Sequence, residues 1–261
     1  MEGLVASLGE TLGEHWAWIL VLLAVAAFVA AVLDTLAGGG GLITVPALLL
    51  AGLPPVNALA TNKLQAPGGS GMATWRVLRM GLVDWQTVKL PMVAAFAGSV
   101  VGTLIVLAMP EGVLDVAIPV VLALIALYVV FVPNAHKPPA HERMSRRTYV
   151  ATVVPAIGAY DGAVGPGTGS MFALSQVLLR ARDLRHSTAI AKALNFATNI
   201  ASLIVFIVAG KVVWLVGGVL IIGALAGGYV GSHLLVRVNP MVLRVLIAVV
   251  SIAMLIRVLV A

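Results

Sequence analysis

Two lysines stand where lysine is costly. Lys63, in Ala-Thr-Asn-Lys-Leu-Gln, and Lys192, in Ala-Ile-Ala-Lys-Ala-Leu-Asn, each fall a few residues inside a long apolar segment. A charge at the centre of a membrane helix costs roughly 2.5 to 3.5 kcal/mol on insertion scales, so a matched pair needs a reason. One reason is an anion path through the bilayer, which both lysines would serve directly or electrostatically. The plainer one is a side chain that snorkels to the interface. Lys192, Asn195, Asn199 and Ser202 follow at spacings of three, four and three, which is one stripe of a helix. Around Lys63 the polar residues Asn62, Gln65 and Ser70 are less regular, and Pro67 with Gly68-Gly69 predicts a kink.

Two aspartates complete the intramembrane charges, each followed by glycines. The first stretch is Asp34-Thr-Leu-Ala-Gly38-Gly39-Gly40-Gly41-Leu-Ile-Thr44-Val-Pro, and the second is Asp161-Gly-Ala-Val-Gly165-Pro-Gly167-Thr168-Gly169-Ser170. Four glycines free the backbone of side chains, and the apolar segment that follows is too short for the roughly 20 residues of a full crossing. The expectation is a broken helix whose second half starts near the midplane, its free N–H groups aimed at a cavity that attracts anions. Thr44 lies in the first turn of one half-helix; Thr168 and Ser170 are placed to cap or line the other. Asp34 and Asp161 are either carboxylates that neutralise a lysine or cap exposed backbone, or proton carriers that load on one side and release on the other.

The elements that must position these residues read as apolar segments at 16–34, 42–52, 58–79, 87–109, 112–133, 148–164, 168–179, 187–209, 212–236 and 240–260. The two short ones both follow a glycine break, the pattern of a transporter built from inverted repeats. The halves align: Ala95-Phe-Ala-Gly98-Ser-Val-Val-Gly102 matches Ala224-Leu-Ala-Gly227-Gly-Tyr-Val-Gly231 at an offset of 129. Lys63, Gly81 and Trp85 meet Lys192, Gly210 and Trp214 at the same offset, whereas Asp34 meets Asp161 at 127. The glycines at four-residue spacing predict close helix packing. Residues 1–133 form the first repeat, 134–147 a basic linker and 148–261 the second repeat.

The chain is 61% hydrophobic and 10% charged, with a mean hydropathy of +1.09, which is too little polar surface to cover a soluble globule. The net charge of +6 does not point to nucleic acid, because the basic residues cluster between apolar spans. Twelve of the sixteen Lys and Arg face one side if each glycine break makes a hairpin that returns to its side of entry and three full crossings follow. That odd count inverts the second half, makes the protein multi-pass and sets both termini on the periplasmic side. Glu2, Glu10 and Glu14 without a basic residue before Trp16 argue against a cleaved signal, so the first span is expected to be retained. Cysteine is absent, the histidines lack metal-ligand spacing, and neither His-Glu-x-x-His nor Gly-x-Ser-x-Gly occurs. The expectation is no enzyme, no metal and no cofactor.

With Asp34-x-x-Ala-Gly38-Gly-Gly-Gly41-Leu-Ile-Thr-Val-Pro46, then Ala60-Thr-Asn-Lys63-Leu-Gln65, Lys192-x-x-Asn195 and Gly210-x-x-x-Trp214, the chain resembles the sulfite exporter TauE/SafE family from about Trp16 to Ala261. Its second glycine loop departs from a simple glycine run. The resemblance implies a cell inner membrane transporter of sulfur-containing anions and small organosulfonates, with no cofactor. The fold expected is an all-α polytopic membrane protein of two inverted repeats, each a glycine-broken helical hairpin followed by three transmembrane helices. Its partners are a small anion, protons and the lipid bilayer. The substrate site would draw on Gly38 to Gly41, Thr44, Asn62, Lys63, Gln65, Ser70, Gly165, Gly167, Thr168, Gly169, Ser170, Lys192, Asn195 and Asn199, with Asp34 and Asp161 coupling protons. An anion channel, or a carrier of a different small organic anion, would use the same half-helix ends.

Overall fold

The computed structural model describes residues 16–37, 40–110, 112–118 and 139–234, together with 120, 121 and 124. All its named elements are helices: α1 (Trp16–Ala37), α2 (Gly41–Leu50), α3 (Pro55–Arg79), α4 (Trp85–Ala108), α5 (Arg146–Ala151), α6 (Val153–Ala163), α7 (Thr168–Arg180), α8 (Leu184–Val208) and α9 (Trp214–Leu234). A further helical stretch covers 112–118. Two of these helices, α4 and α8, are long and apolar enough by length and composition to cross a membrane. Most of the expected segment 112–133, all of 240–260, part of the 134–147 linker, and Gly38 and Gly39 lie outside the described residues.

Both expected breaks fold back on themselves. In the first, α2 returns along α1: Ile43 packs on Ala30, and Leu48 and Leu53 pack with Leu23 and Ala27. In the second, α7 returns along α5 and α6, with the Tyr149 and Ser175 hydroxyls 2.7 Å apart and Leu179 O accepting from the backbone of Arg143 and Met144. The segment expected to run unbroken over 148–164 is divided at Thr152. Pro155 has no N–H to give Ala151, so the helical ladder loses a rung there. At Pro67, where a kink is expected, α3 stays helical. Pro67 removes only the bond to the Lys63 carbonyl, and neighbouring helices hold the rest in place.

Each half's first helix packs against the other half's fourth. The seam between α4 and α6 is the tightest contact: a Cβ added at Gly98 would lie 2.1 Å from Pro155 O, and one at Gly102 would lie 1.9 Å from Ala159 O. Gly158 and Gly162 answer from α6, where a Cβ would meet Ala95 O at 2.4 Å and Ser99 O at 2.0 Å. Only glycine allows backbones this close. Between α9 and α1, a Cβ on Gly227 would sit 2.1 Å from Phe28 O. Gly227 and Phe28 are the sequence equivalents of Gly98 and Pro155. The packing around Gly231 lies outside the described residues.

The loops sort to two ends. Val83, Val88, Tyr149, Val150 and Ala189 share one cluster, so the basic residues Arg76, Arg79, Lys89, Arg143, Arg146, Arg147, Arg180, Arg182 and Arg185 gather at that end. There Arg180 is buried against Glu142 at 2.5 Å and also donates to the Met144 carbonyl. Asp183 caps α8 by accepting the His186 amide at 3.0 Å, and that bond holds its carboxyl below the usual carboxylate range. At the opposite end Val56, Leu114, Ile118 and Val212 cluster, and Asn57 donates to Lys211 O at 2.9 Å. Exposed tryptophans stand near both ends, Trp75 and Trp85 at the basic one and Trp18 and Trp214 at the other. Tryptophans so placed suit the two headgroup layers of a bilayer.

Candidate functional site

The two glycine breaks meet in the middle of the bundle, where α3 crosses α8. Gly41, the first residue of α2, faces Pro166 of the second break: a Cβ there would lie 3.3 Å from Pro166 Cγ. Gly165 and Gly167 have φ of 94° and 83°, the left-handed region that favours glycine, and they turn the chain from α6 into α7. Tyr160 braces the turn with its hydroxyl donating to Pro166 O at 2.5 Å. Thr168 was expected to cap or line the start of α7. The N-cap is Gly167, and the Thr168 hydroxyl donates backwards to Gly165 O at 2.6 Å, so the backbone turn makes the cap. Gly169 and Ser170 occupy the first turn of α7.

Lys63 is 2% exposed and does not snorkel. Its Nζ lies 3.0 Å from Oδ2 of Asp161, itself 1% exposed, and donates to Asn199 Oδ1 at 2.9 Å. Oδ2 has no aligned hydrogen bond, so charge governs the contact with Asp161. Taking two charges out of water is expensive, and their attraction offsets that cost only when the pair is complete. This pair joins α3 of the first half to α6 of the second. Lys192 makes the reciprocal reach, from α8 of the second half to α1 of the first, but meets a different group: its Nζ donates to the Asp34 main-chain carbonyl at 3.2 Å. That carbonyl is among the last four of α1, where a cation complements the helix dipole. The Asp34 carboxylate turns to the start of α2 and accepts the Gly40 amide at 3.2 Å.

The remaining polar residues form two short chains of hydrogen bonds. Thr44 donates to Asn62 Oδ1 at 2.5 Å, and Gln65 Nε2 donates to the same oxygen at 3.2 Å, tying α2 to α3. On α8, Asn199 Nδ2 donates to Asn195 Oδ1 at 3.3 Å. Ser202 meets Ser99 of α4 at 2.6 Å, which places the far end of the predicted stripe in a helix contact. Ser70 is buried with its hydroxyl on Ala66 O at 2.8 Å. Sequence reasoning omitted Tyr160, Ser99 and Thr103; the last donates to Gly162 O at 3.1 Å across the glycine seam. Tyr160 stands beside Asp161 in the chain, and that adjacency was the available signal. A cavity of about 300 Å³ opens elsewhere, between Leu49–Val56 and Leu114–Asp115, and touches none of the polar residues at the crossing. Among the described residues no group of three His, Asp or Glu side chains is placed to hold a metal.

The described residues are helical and apolar, with a buried ion pair where two helix breaks meet, and the comparisons that follow define the class: this is a membrane transport protein. The sequence model of the Sulfite exporter TauE/SafE family matches residues 23–258, and the chain belongs to that family. It is 42% identical over 242 residues to the probable membrane transporter protein ORF9 of Sinorhizobium sp., covering 92% of each chain. It is 39% identical to the probable membrane transporter protein YfcA of Escherichia coli K12, over 90% of this chain and 88% of that one. A probable membrane transporter protein of Haemophilus influenzae is 36% identical, over 90% and 92% respectively. No solved structure matches the chain.

Proposed function

We propose that the protein is a proton-coupled secondary transporter of small sulfur-containing anions, sulfite or an organosulfonate, in the cell inner membrane. The observation that carries the reading is the reciprocal reach of two intramembrane lysines, the buried Lys63 to Asp161 and the half-buried Lys192 to the Asp34 carbonyl, at the place where both glycine breaks meet. Cationic side chains beside half-helix starts in an apolar bundle give an anion a place to lose part of its hydration shell. The two halves are inverted repeats, a reading supported by the exchange of first and fourth helices and by the matched contacts of Gly98 with Pro155 and Gly227 with Phe28. The anion passes by rocking of one repeat against the other. Gathering of the basic loops at one end supports a cytoplasmic assignment for that end, with both termini periplasmic. Family membership supports transport, and the sulfur-containing anion is the family description carried to this chain.

A thermal-shift screen of purified protein against sulfite, sulfate, thiosulfate, taurine and sulfoacetate tests the substrate class. Selective binding raises the unfolding midpoint by mass action, by about 2.7 kcal/mol of added stability at one hundred times Kd. A midpoint unmoved by all five contradicts the proposal.

A further inference from the structure

We infer that the two repeat-related lysines have divided their work: Lys192, with Asn195, takes the anion, while Lys63 is a positioning residue that orients Asn195 through Asn199. The inference rests on the reading of the chain as an anion transporter and says where in the crossing the anion is held.

The polarity of the hydrogen bonds carries the argument. An ammonium only donates, so Asn199 must present its oxygen to Lys63, as the 2.9 Å contact records. The amide nitrogen of Asn199 then faces the other way and donates to Asn195 Oδ1 at 3.3 Å. Asn195 has its oxygen engaged, and its Nδ2 is left as a donor. The chain from Asp161 through Lys63 and Asn199 to Asn195 therefore runs in one direction, starting at a carboxylate and ending in an N–H group.

The surroundings of the two lysines differ in the same sense. Lys63 is closed in by acceptors, the Asp161 carboxylate and Asn199 Oδ1, and Gly165 lies so close that a Cβ there would be 3.2 Å from Nζ. An anion brought to Lys63 meets a carboxylate already in place. Lys192 is half-buried, and no carboxylate of the described residues lies within 4.0 Å of its Nζ. Among the described residues its partner is one main-chain carbonyl, against the carboxylate and amide oxygen that meet Lys63. At the offset of 129 the counterpart of Asn199 is Ser70, and Ser70 spends its hydroxyl on Ala66 O. Among the described residues no side-chain acceptor therefore plays at Lys192 the part that Asn199 plays at Lys63. Asn195, three residues along α8, lies on the same face as Lys192 and is also half-buried. Lys192 and Asn195 thus offer donors, whereas the groups around Lys63 offer acceptors.

Sulfite binding measured by titration calorimetry on the purified full chain, with amine labelling alongside, tests the division. K192Q should weaken binding at least about tenfold, and N195D, which turns the free donor into an acceptor, should do the same. K63Q/D161N removes the buried pair as a unit and should weaken binding less than K192Q. The reverse ranking overturns the division while leaving anion transport in place. If the wild-type protein binds no sulfite, the substrate reading fails, and labelling still decides the division. Lys192 should react with trinitrobenzenesulfonate in the folded protein, and Lys63 should react only after unfolding. Equal reaction of both lysines, or reaction of Lys63 alone, overturns the inference.

Discussion

At the scale of single residues, the two aspartates occupy equivalent places in the halves and do different things. Asp161 neutralises a buried lysine; Asp34 holds the amide of Gly40, just before a half-helix, and leaves its lysine to a carbonyl. Removing one partner of a buried ion pair commonly costs about 3 to 5 kcal/mol, because the other charge stays behind. Asp161→Asn should lower stability by about that amount, and Lys63→Gln in the same chain should recover most of it. Asp34→Asn keeps an oxygen for the Gly40 amide and should change stability by less than about 1 kcal/mol. If Asp34 carries the coupled proton, that variant loses uptake driven by a pH gradient and keeps anion exchange. Denaturation and transport assays on the same preparations separate these outcomes; an unstable Asp34→Asn protein would mark that carboxylate as structural. The sequence names all four charges but pairs none of them, because the pairing crosses between halves. The two residues by which Asp161 stands further from Lys192 than Asp34 does from Lys63 are the visible trace of the asymmetry.

At the scale of elements, the glycine seam between α4 and α6 holds the second half's broken helix against the first half. A methyl group at Gly102 would stand 1.9 Å from the Ala159 carbonyl oxygen, a distance that only movement of one helix relieves. Gly102→Ala should therefore cost at least the 1 to 3 kcal/mol typical of overpacking, read as a lower midpoint in thermal unfolding. Gly218→Ala, where added Cβ meets nothing within 4 Å, is the matched control. The positions of the helices and the role of these glycines were legible because hydropathy and four-residue spacing are local signals. The break at Thr152 was legible in principle, since Pro155 denies a hydrogen bond to Ala151, yet an apolar run hides a missing rung. Of the two roles expected for the hydroxyls at the start of α7, capping falls to the backbone, because glycine at positive φ supplies the turn, while Thr168 and Ser170 stay in the first turn.

At the scale of the whole molecule, the charges, the tryptophans and the hairpins describe one object. Basic loops gather at one end, tryptophans stand near both, and the two broken helices meet between them at Gly41 and Pro166. A structural membrane protein has no need of four ionisable side chains at such a crossing, and an open pore has no need of a buried, neutralised pair. The proposed function is a carrier that holds its anion at the crossing of α3 and α8. Counterflow in proteoliposomes tests that claim most directly: vesicles loaded with unlabelled sulfite should transiently accumulate external radiolabelled sulfite above its equilibrium level, with saturation, and K192Q should abolish the overshoot. Passive equilibration with no overshoot and no saturation would contradict a carrier, and an overshoot that K192Q leaves intact would contradict the site.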